Sequence, residues 1–309
     1  MHQVIFEQFV GSFQQAPTEL VLDFDCTDDR VHGRQVGAAF HGYYYDYCFL
    51  PLYVFCGEQL LVSYLRPSNI DPAQHGWAIL RLLVRALRRR WPAVKITLRA
   101  DSGFCRWRML RWCEEHSVDY VVGIAKNARL NGRSAKLQQR AERKHRKSGT
   151  KVRLFSQLKY KANTWDHKRR VIVKAEHSQR GANPRYVVTS LQGPAQGLYD
   201  QLYCARGEME NRIKEQQLGL FSDRTSAHQW WTNQFRLLLS SCAYVLIEML
   251  RRIGLVGTEL AHAQVQTIRL RLLKLGAVIV RNTRRIRIWF SSSFPLQELF
   301  RNCLACFCG

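Results

Sequence analysis

Negative charge is scarce in this chain. Its 309 residues carry 24 Asp and Glu against 47 Lys and Arg, a formal net charge of +23 at pH 7. An excess of that size points to a polyanionic partner. Nucleic acid is expected rather than a membrane surface, because no basic amphipathic anchor stands out. A membrane-spanning run is also missing. The longest apolar stretch, Leu237 to Ile247, is broken by Ser240, Ser241 and Cys242 and bounded by Arg236 and Glu248, and it reads as a buried helix. The opening Met1-His-Gln-Val-Ile-Phe-Glu7 has neither the charged start nor the apolar core of a secretory leader, so a cytoplasmic location is expected. The ten cysteines are scattered through strand-like and helix-like segments, which argues for reduced thiols and against a disulfide framework. Cys303 and Cys306, with Cys308 close by, lack the second ligand pair that a zinc site needs. No internal repeat is found.

What is present is enough apolar matter for a sizeable core: 46% of residues are hydrophobic, which excludes wholesale disorder. Residues 1–18 read as a short helical lead-in and 19–25 as a strand, followed by a polar turn rich in Asp, Gly and His. The runs 49–56 and 60–65 flank Gly57-Glu58 as a hairpin. Pro72 to Trp91 has helical spacing, 94–100 reads as a strand, 104–116 as a helix and 119–124 as a strand. This order of three strands, helix, strand, helix, strand is that of a ribonuclease H-like α/β core, a mixed sheet flanked by helices.

At Ala125 the character changes. From Lys126 to Arg170 there are 16 Lys and Arg against only Glu142 and Asp166. The stretch 141–150 lacks apolar periodicity and reads as an exposed basic loop. Three strand-like runs follow, at 152–160, 170–176 and 186–191, so 126–192 reads as an inserted, mostly β subdomain. Tyr160 and Trp165 interleave with Lys159, Lys161, Lys168 and Arg169, a pattern suited to packing on a nucleic-acid backbone or bases. Helical pattern resumes over 194–220 and again to Arg252. Gln264 to Leu275 reads as helix, and Ala277 to Phe290 as strand.

Three acidic residues stand out by position. Asp25 closes the apolar run that begins at Glu19, and Asp101 closes the run from Val94. Strand ends are where open α/β sheets gather reactive groups. Two carboxylates side by side repel unless a proton or cation sits between them, and a hard divalent ion with oxygen ligands resolves that conflict. Asp23 shares the strand face of Asp25 and competes for the role. At 100° per residue, Tyr203, Arg206, Glu210, Lys214 and Gln217 fall on one helical stripe that is poor core material but suits holding a metal and gripping phosphates. Taken alone, each carboxylate has an ordinary explanation: Asp101 as a helix cap, Asp25 as a turn residue, Glu210 as a solvated helix glutamate.

As a set, these motifs resemble the bacterial insertion-sequence transposases of the DDE type, which carry a Tyr-x2-Arg-x3-Glu-x6-Lys signature and a β-strand insertion in a ribonuclease H-like core. Tyr203, Arg206 and Glu210 match at the right spacing, and Asp25-Cys-Thr and Arg99-Ala-Asp101-Ser-Gly-Phe resemble the two Asp motifs. The Lys position falls on Gln217, with Lys214 the nearest substitute. The resemblance runs from about Leu20 to Arg252.

It implies cut-and-paste transposition of double-stranded DNA, in some such families through a DNA hairpin, by a homodimer assembled on DNA in the bacterial nucleoid. Asp25, Asp101 and Glu210 would hold two Mg2+ ions, with Mn2+ as substitute. Tyr203, Arg206 and Lys214 would position DNA, and the basic insertion with Lys159, Lys161, Lys168 and Arg169 would grip it.

The expected division is a lead-in at 1–18, catalytic core at 19–125, basic β-rich insertion at 126–192, helical remainder of the core at 193–254, and a basic C-terminal segment and tail at 255–309. Only about 24 residues precede Asp25, so a truncated copy that keeps its chemistry and loses end recognition is one expectation. A ribonuclease H-like nuclease and a non-catalytic DNA-binding remnant stay open as alternatives.

Overall fold

Alternation along β1 (Glu19–Cys26) sets the architecture. Leu20, Leu22 and Phe24 enter one core, while Asp23 and Asp25 leave on the opposite face. A computed structural model describes residues 1–307 of the chain; Cys308, considered above as a thiol neighbour, lies outside the described residues. The chain opens with α1 (His2–Gly11) and β1. A small sheet of β2 (Asp29–Arg30), β3 (Ala39–His41) and β4 (Asp46–Phe49) follows. Next come β5 (Leu52–Cys56), β6 (Gln59–Tyr64), α2 (Gly76–Arg90), β7 (Lys95–Ala100), α3 (Trp107–Glu115) and β8 (Asp119–Ile124).

The main sheet runs β6–β5–β1–β7–β8. Here β5 is antiparallel to β1, whereas β1, β7 and β8 are mutually parallel. This is the ribonuclease H-like mixed sheet expected from the element order. Leu52 and Val54 of β5, Ile96 and Leu98 of β7, and Leu80, Val84 and Leu87 of α2 join the first core. Tyr53 and Phe55, one residue out of phase, enter a second core on the other face.

The segment expected as a basic loop and strands begins instead with a long helix, α4 (Ala128–Ser148). Residues 141–150 are therefore a correction: all but the last two lie in its second half. The helix needs little apolar matter, because only Leu130, Ser134 and Ala141 are buried and they share one face. Capping does the rest. Asn127 accepts from the Leu130 N–H at 2.9 Å, Gly149 closes the helix at φ +66°, and His145, Arg146 and Lys147 stabilise the negative end of its dipole.

Four strands follow: β9 (Val152–Tyr160), β10 (Arg169–Ser178), β11 (Gly181–Ala182) and β12 (Arg185–Thr189). They extend the main sheet, since β12 pairs antiparallel with β8 and β10 carries β9 and β11. Tyr160 and Trp165, expected on a nucleic-acid face, are core residues. Their rings meet edge to face at 5.7 Å with Trp165 only 4% exposed, and Arg129 and Arg169 cover them.

After the short α5 (Ala195–Gly197), which packs beside Val121, Ile172 and Val187, the second core is closed by α6 (Gly207–Lys214), α7 (Trp230–Met249), α8 (Val265–Ile268) and α9 (Gln297–Phe307), chiefly through Met209, Ile213, Leu237, Tyr244, Ile268 and Cys303. The stretch read as one strand at 277–290 is a hairpin of β13 (Ala277–Arg281) and β14 (Ile286–Phe290). Cys303 is buried and donates to the Gly254 carbonyl while Cys306 is exposed, so the two are not paired. Among the described residues no helix is long and apolar enough to cross a membrane.

The burial of Trp165 makes a measurable difference. Trp165→Ala should cost about 3–5 kcal/mol of stability in denaturant unfolding. An exposed base-stacking tryptophan would give a change near zero.

Candidate active site

The pairing of β1 with β7 places Phe24 opposite Ala100, so the next residues, Asp25 and Asp101, leave neighbouring parallel strands at the same level. At the usual spacing their backbones stand about 4.8 Å apart. Asp23 does not share their surroundings. It is buried and held by both the Nε and Nη2 of Arg99, and Arg99 also donates to the Leu202 carbonyl at 2.7 Å. Arg99 of β7 precedes Asp101, the first residue beyond the strand, by two, so one alternating face supplies both the Asp23 partner and the second carboxylate.

Asp101 does cap the turn that follows it, as its ordinary reading has it: Oδ1 accepts from the Gly103 N–H at 2.8 Å. The cap fixes its orientation, and among the described residues no hydrogen bond falls on Oδ2. Glycine at 123 leaves room for Tyr203 and the Asp101 turn to lie against β8. A Cβ there would stand 2.6 Å from the Tyr203 hydroxyl and 3.0 Å from the Ser102 nitrogen.

Arg206 ties the helix to the sheet. Its Nη1 donates to Asp25 Oδ2 at 2.8 Å and its Nη2 to Glu210 Oε1 at 2.7 Å. The expected stripe is partly broken, because the chain from Leu198 to Gly219 alternates wide π-type turns, a tight turn at Cys204–Arg206 and the regular α6. Arg206, Glu210, Lys214 and Gln217 still line one cavity of about 740 Å3 together with Asp25 and Asp101. Tyr203 instead packs behind it, 5.5 Å from Tyr199 and against the Asp101 turn.

Burial pushes the Asp25 carboxyl up to about 7; Arg206 pulls it down, and Asp101 and Glu210 add to the rise. The part of that rise due to the two neighbouring carboxylates is what an added cation would relieve. Three carboxylates with no thiol or imidazole among them are the donor set of a hard divalent cation. Chemically the set fits. Spatially, the Arg206 guanidinium now bridges Asp25 and Glu210, and among the described residues no group of three Asp, Glu, His or Cys is placed to hold one ion.

Lys214 is exposed on the rim and has no ion pair among the described residues. Gln217, at the expected lysine position, turns inward and donates to the Asp28 carbonyl and to Asp29 Oδ1, both at 3.1 Å.

The remaining candidates lie elsewhere. Lys159 pairs with Arg170, which is level through Thr189, Val121 and Arg99 with Asp23. That is five strand spacings from β1, about 24 Å. Lys159, Lys161 and Lys168 are exposed there. Arg169 is not available to a phosphate, because its side chain is 1% exposed and holds Glu114 at 2.7 Å and Asp166 at 2.9 Å.

Three cavity residues, His41, Tyr43 and Tyr44, were not anticipated. Their signal was the aromatic density of 40–47, hidden by reading that stretch as a polar turn.

Comparison with known proteins gives a family. The profile described as Transposase DDE domain group 1 matches residues 1–307. Among solved structures the chain is similar to a piggyBac transposase synaptic complex with hairpin DNA, at 11% identity and a TM-score of 0.48. That match covers 83% of this chain and 52% of the other, so the chain spans about half its length. No curated protein matches.

Asp29 provides a test of the site's floor. It is fully buried, and burial raises its carboxyl to about 8 against the pull of Gln217, with Asp223 and Asp28 pushing the same way. A folded value above the unfolded one of about 3.9 stabilises the protein most at low pH and loses that contribution as pH rises to about 8. Asp29→Asn should therefore flatten the decline in unfolding free energy between about pH 4 and pH 8. An unchanged slope would show Asp29 ionised in the fold.

Proposed function

The chain belongs to the transposase DDE domain group 1 family, and from that premise we propose that its carboxylate cavity cuts and rejoins DNA strands in cut-and-paste transposition of an insertion sequence. The observation that supports this most is the level, same-face departure of Asp25 and Asp101 from parallel strands, with Glu210 drawn to Asp25 through Arg206.

Asp25, Asp101 and Glu210 would hold two magnesium ions, with manganese as substitute. Bound there, the ions supply the Lewis acidity that activates an attacking water or 3′-hydroxyl and stabilises the leaving oxygen. The chain's own side chains do the positioning. Arg206 keeps the Asp25 and Glu210 charges from opposing one another, and the Gly103 N–H fixes Asp101 with one oxygen unengaged. Lys214 on the rim meets a backbone phosphate next to the scissile bond. Tyr203 acts from behind, bracing the Asp101 turn.

Lys159, Lys161 and Lys168 meet duplex that extends beyond the cavity, where a homodimer assembled on DNA would run it. Each changed to Ala should lower the slope of log affinity against log salt by about 1. An unaltered slope would remove that face from the binding path.

The decisive assay offers labelled DNA from the flanks of the chain's own reading frame, with a supercoiled target and magnesium. Joined products are expected. Asp25→Asn, Asp101→Asn and Glu210→Gln should each lower their formation at least about a hundredfold. Cleavage without joining would reduce the activity to that of a nuclease, and equal rates in all three variants would exclude the cavity.

A further inference from the structure

The hairpin of β3 and β4 carries a dense group of aromatic side chains, part of it at the carboxylate cavity. His41, Tyr43 and Tyr44 line that cavity beside Asp25, Asp101 and Glu210. Tyr43 is 80% exposed and Tyr45 83%, and Phe40 and Tyr47 are also exposed. A core role is excluded for these four. Rings of this size left in water beside a site mark a binding surface.

The group is already arranged. The His41 and Tyr44 rings lie 4.8 Å apart, Tyr43 meets Tyr44 edge-on at 5.0 Å, and Phe40 meets Tyr47 at 5.7 Å. Tyr45 sits at φ +53°, a left-handed conformation that a bulky residue seldom adopts. Its ring stands exposed at the tip, at a position that Gly or Asn would occupy with less strain.

We propose that this hairpin is a stacking platform for unpaired nucleotides of a DNA strand end, holding that end over the carboxylate cavity. The inference rests on the reading that the cavity acts on DNA. Aromatic faces can stack only on bases whose own faces are free, so the surface suits unpaired nucleotides and not the sides of a duplex. Its continuity with the carboxylates places such a base within reach of the reacting end. Charge agrees: Arg34 lies exposed on the same small-sheet segment. The single acid of the turn, Asp46, is occupied by the Tyr47 N–H at 2.8 Å and stands 3.6 Å from Arg30.

The test uses the full chain without added metal and DNA duplexes carrying 2-aminopurine, either in a three-nucleotide 3′ overhang or in a blunt end. The wild-type chain should quench the overhang probe and favour overhang over blunt DNA by about tenfold. The double variant Tyr43→Leu with Tyr45→Asn should lose the quenching and bring the preference close to one. Tyr43→Phe should keep both, since the ring and not the hydroxyl stacks. Quenching and preference retained in the double variant would overturn the platform. So would a fall in the chain's own association state with DNA preference intact, because the rings would then serve a second copy. A wild-type chain that binds neither duplex would instead overturn the functional reading on which the inference rests.

Discussion

Carboxylates on the inner face of a sheet repel one another and resist burial, and on β1 two of them leave that face two residues apart. The fold meets each with an arginine from a different element. Arg99, on the neighbouring strand, takes Asp23 with both arms of its fork and fastens the Leu202 carbonyl as well. Arg206, on the helical stretch, takes Asp25 and reaches on to Glu210. The two pairs differ in kind. The first is closed and nearly dry, a structural joint between sheet and helix. The second lies at a cavity wall, and the burial that raises Asp25 persists in spite of it. Removing one partner of such a pair leaves a buried charge uncompensated, which is why the geometry around β1 constrains everything packed on that face.

The placement of Asp25 and Asp101 was legible in the sequence because an apolar run that ends on a carboxylate is a local pattern, and parallel neighbours keep the two ends level. The helical signature was legible in part. Its spacing puts Arg206, Glu210, Lys214 and Gln217 together, and all four line one cavity, but a stripe drawn at 100° per residue cannot anticipate the wide and tight turns that set Tyr203 behind it. Helix α4 escaped notice because its buried face is made of Leu130, Ser134 and Ala141, too small and too polar to show as periodicity. Tyr160 and Trp165 misled for the opposite reason. Neighbouring cations suggested a polar surface, yet Arg129 and Arg169 lie over the rings as the lid of a core. No local rule says that Arg169 spends its charge on Glu114, a residue 55 positions away.

The long basic helix and the strands after it give the charge excess a location. The cations of α4 project from a helix whose packing needs only three residues, and β9 with its connection to β10 adds the exposed Lys159, Lys161 and Lys168 at the far end of the same sheet. Negative side chains gather by contrast around the cavity. A polyanion drawn to the basic surface would bring its reacting phosphate in among the carboxylates only when positive charge is supplied there, and that ordering of electrostatic events is the physical core of the proposed activity.

The most direct measurement is manganese binding followed by electron paramagnetic resonance, on the wild-type chain and on Asp25→Asn, Asp101→Asn and Glu210→Gln. The account predicts bound manganese in the wild type and affinity weakened about 10–100-fold or more in each variant. Equal binding in all four would contradict it and leave the three carboxylates as parts of the scaffold.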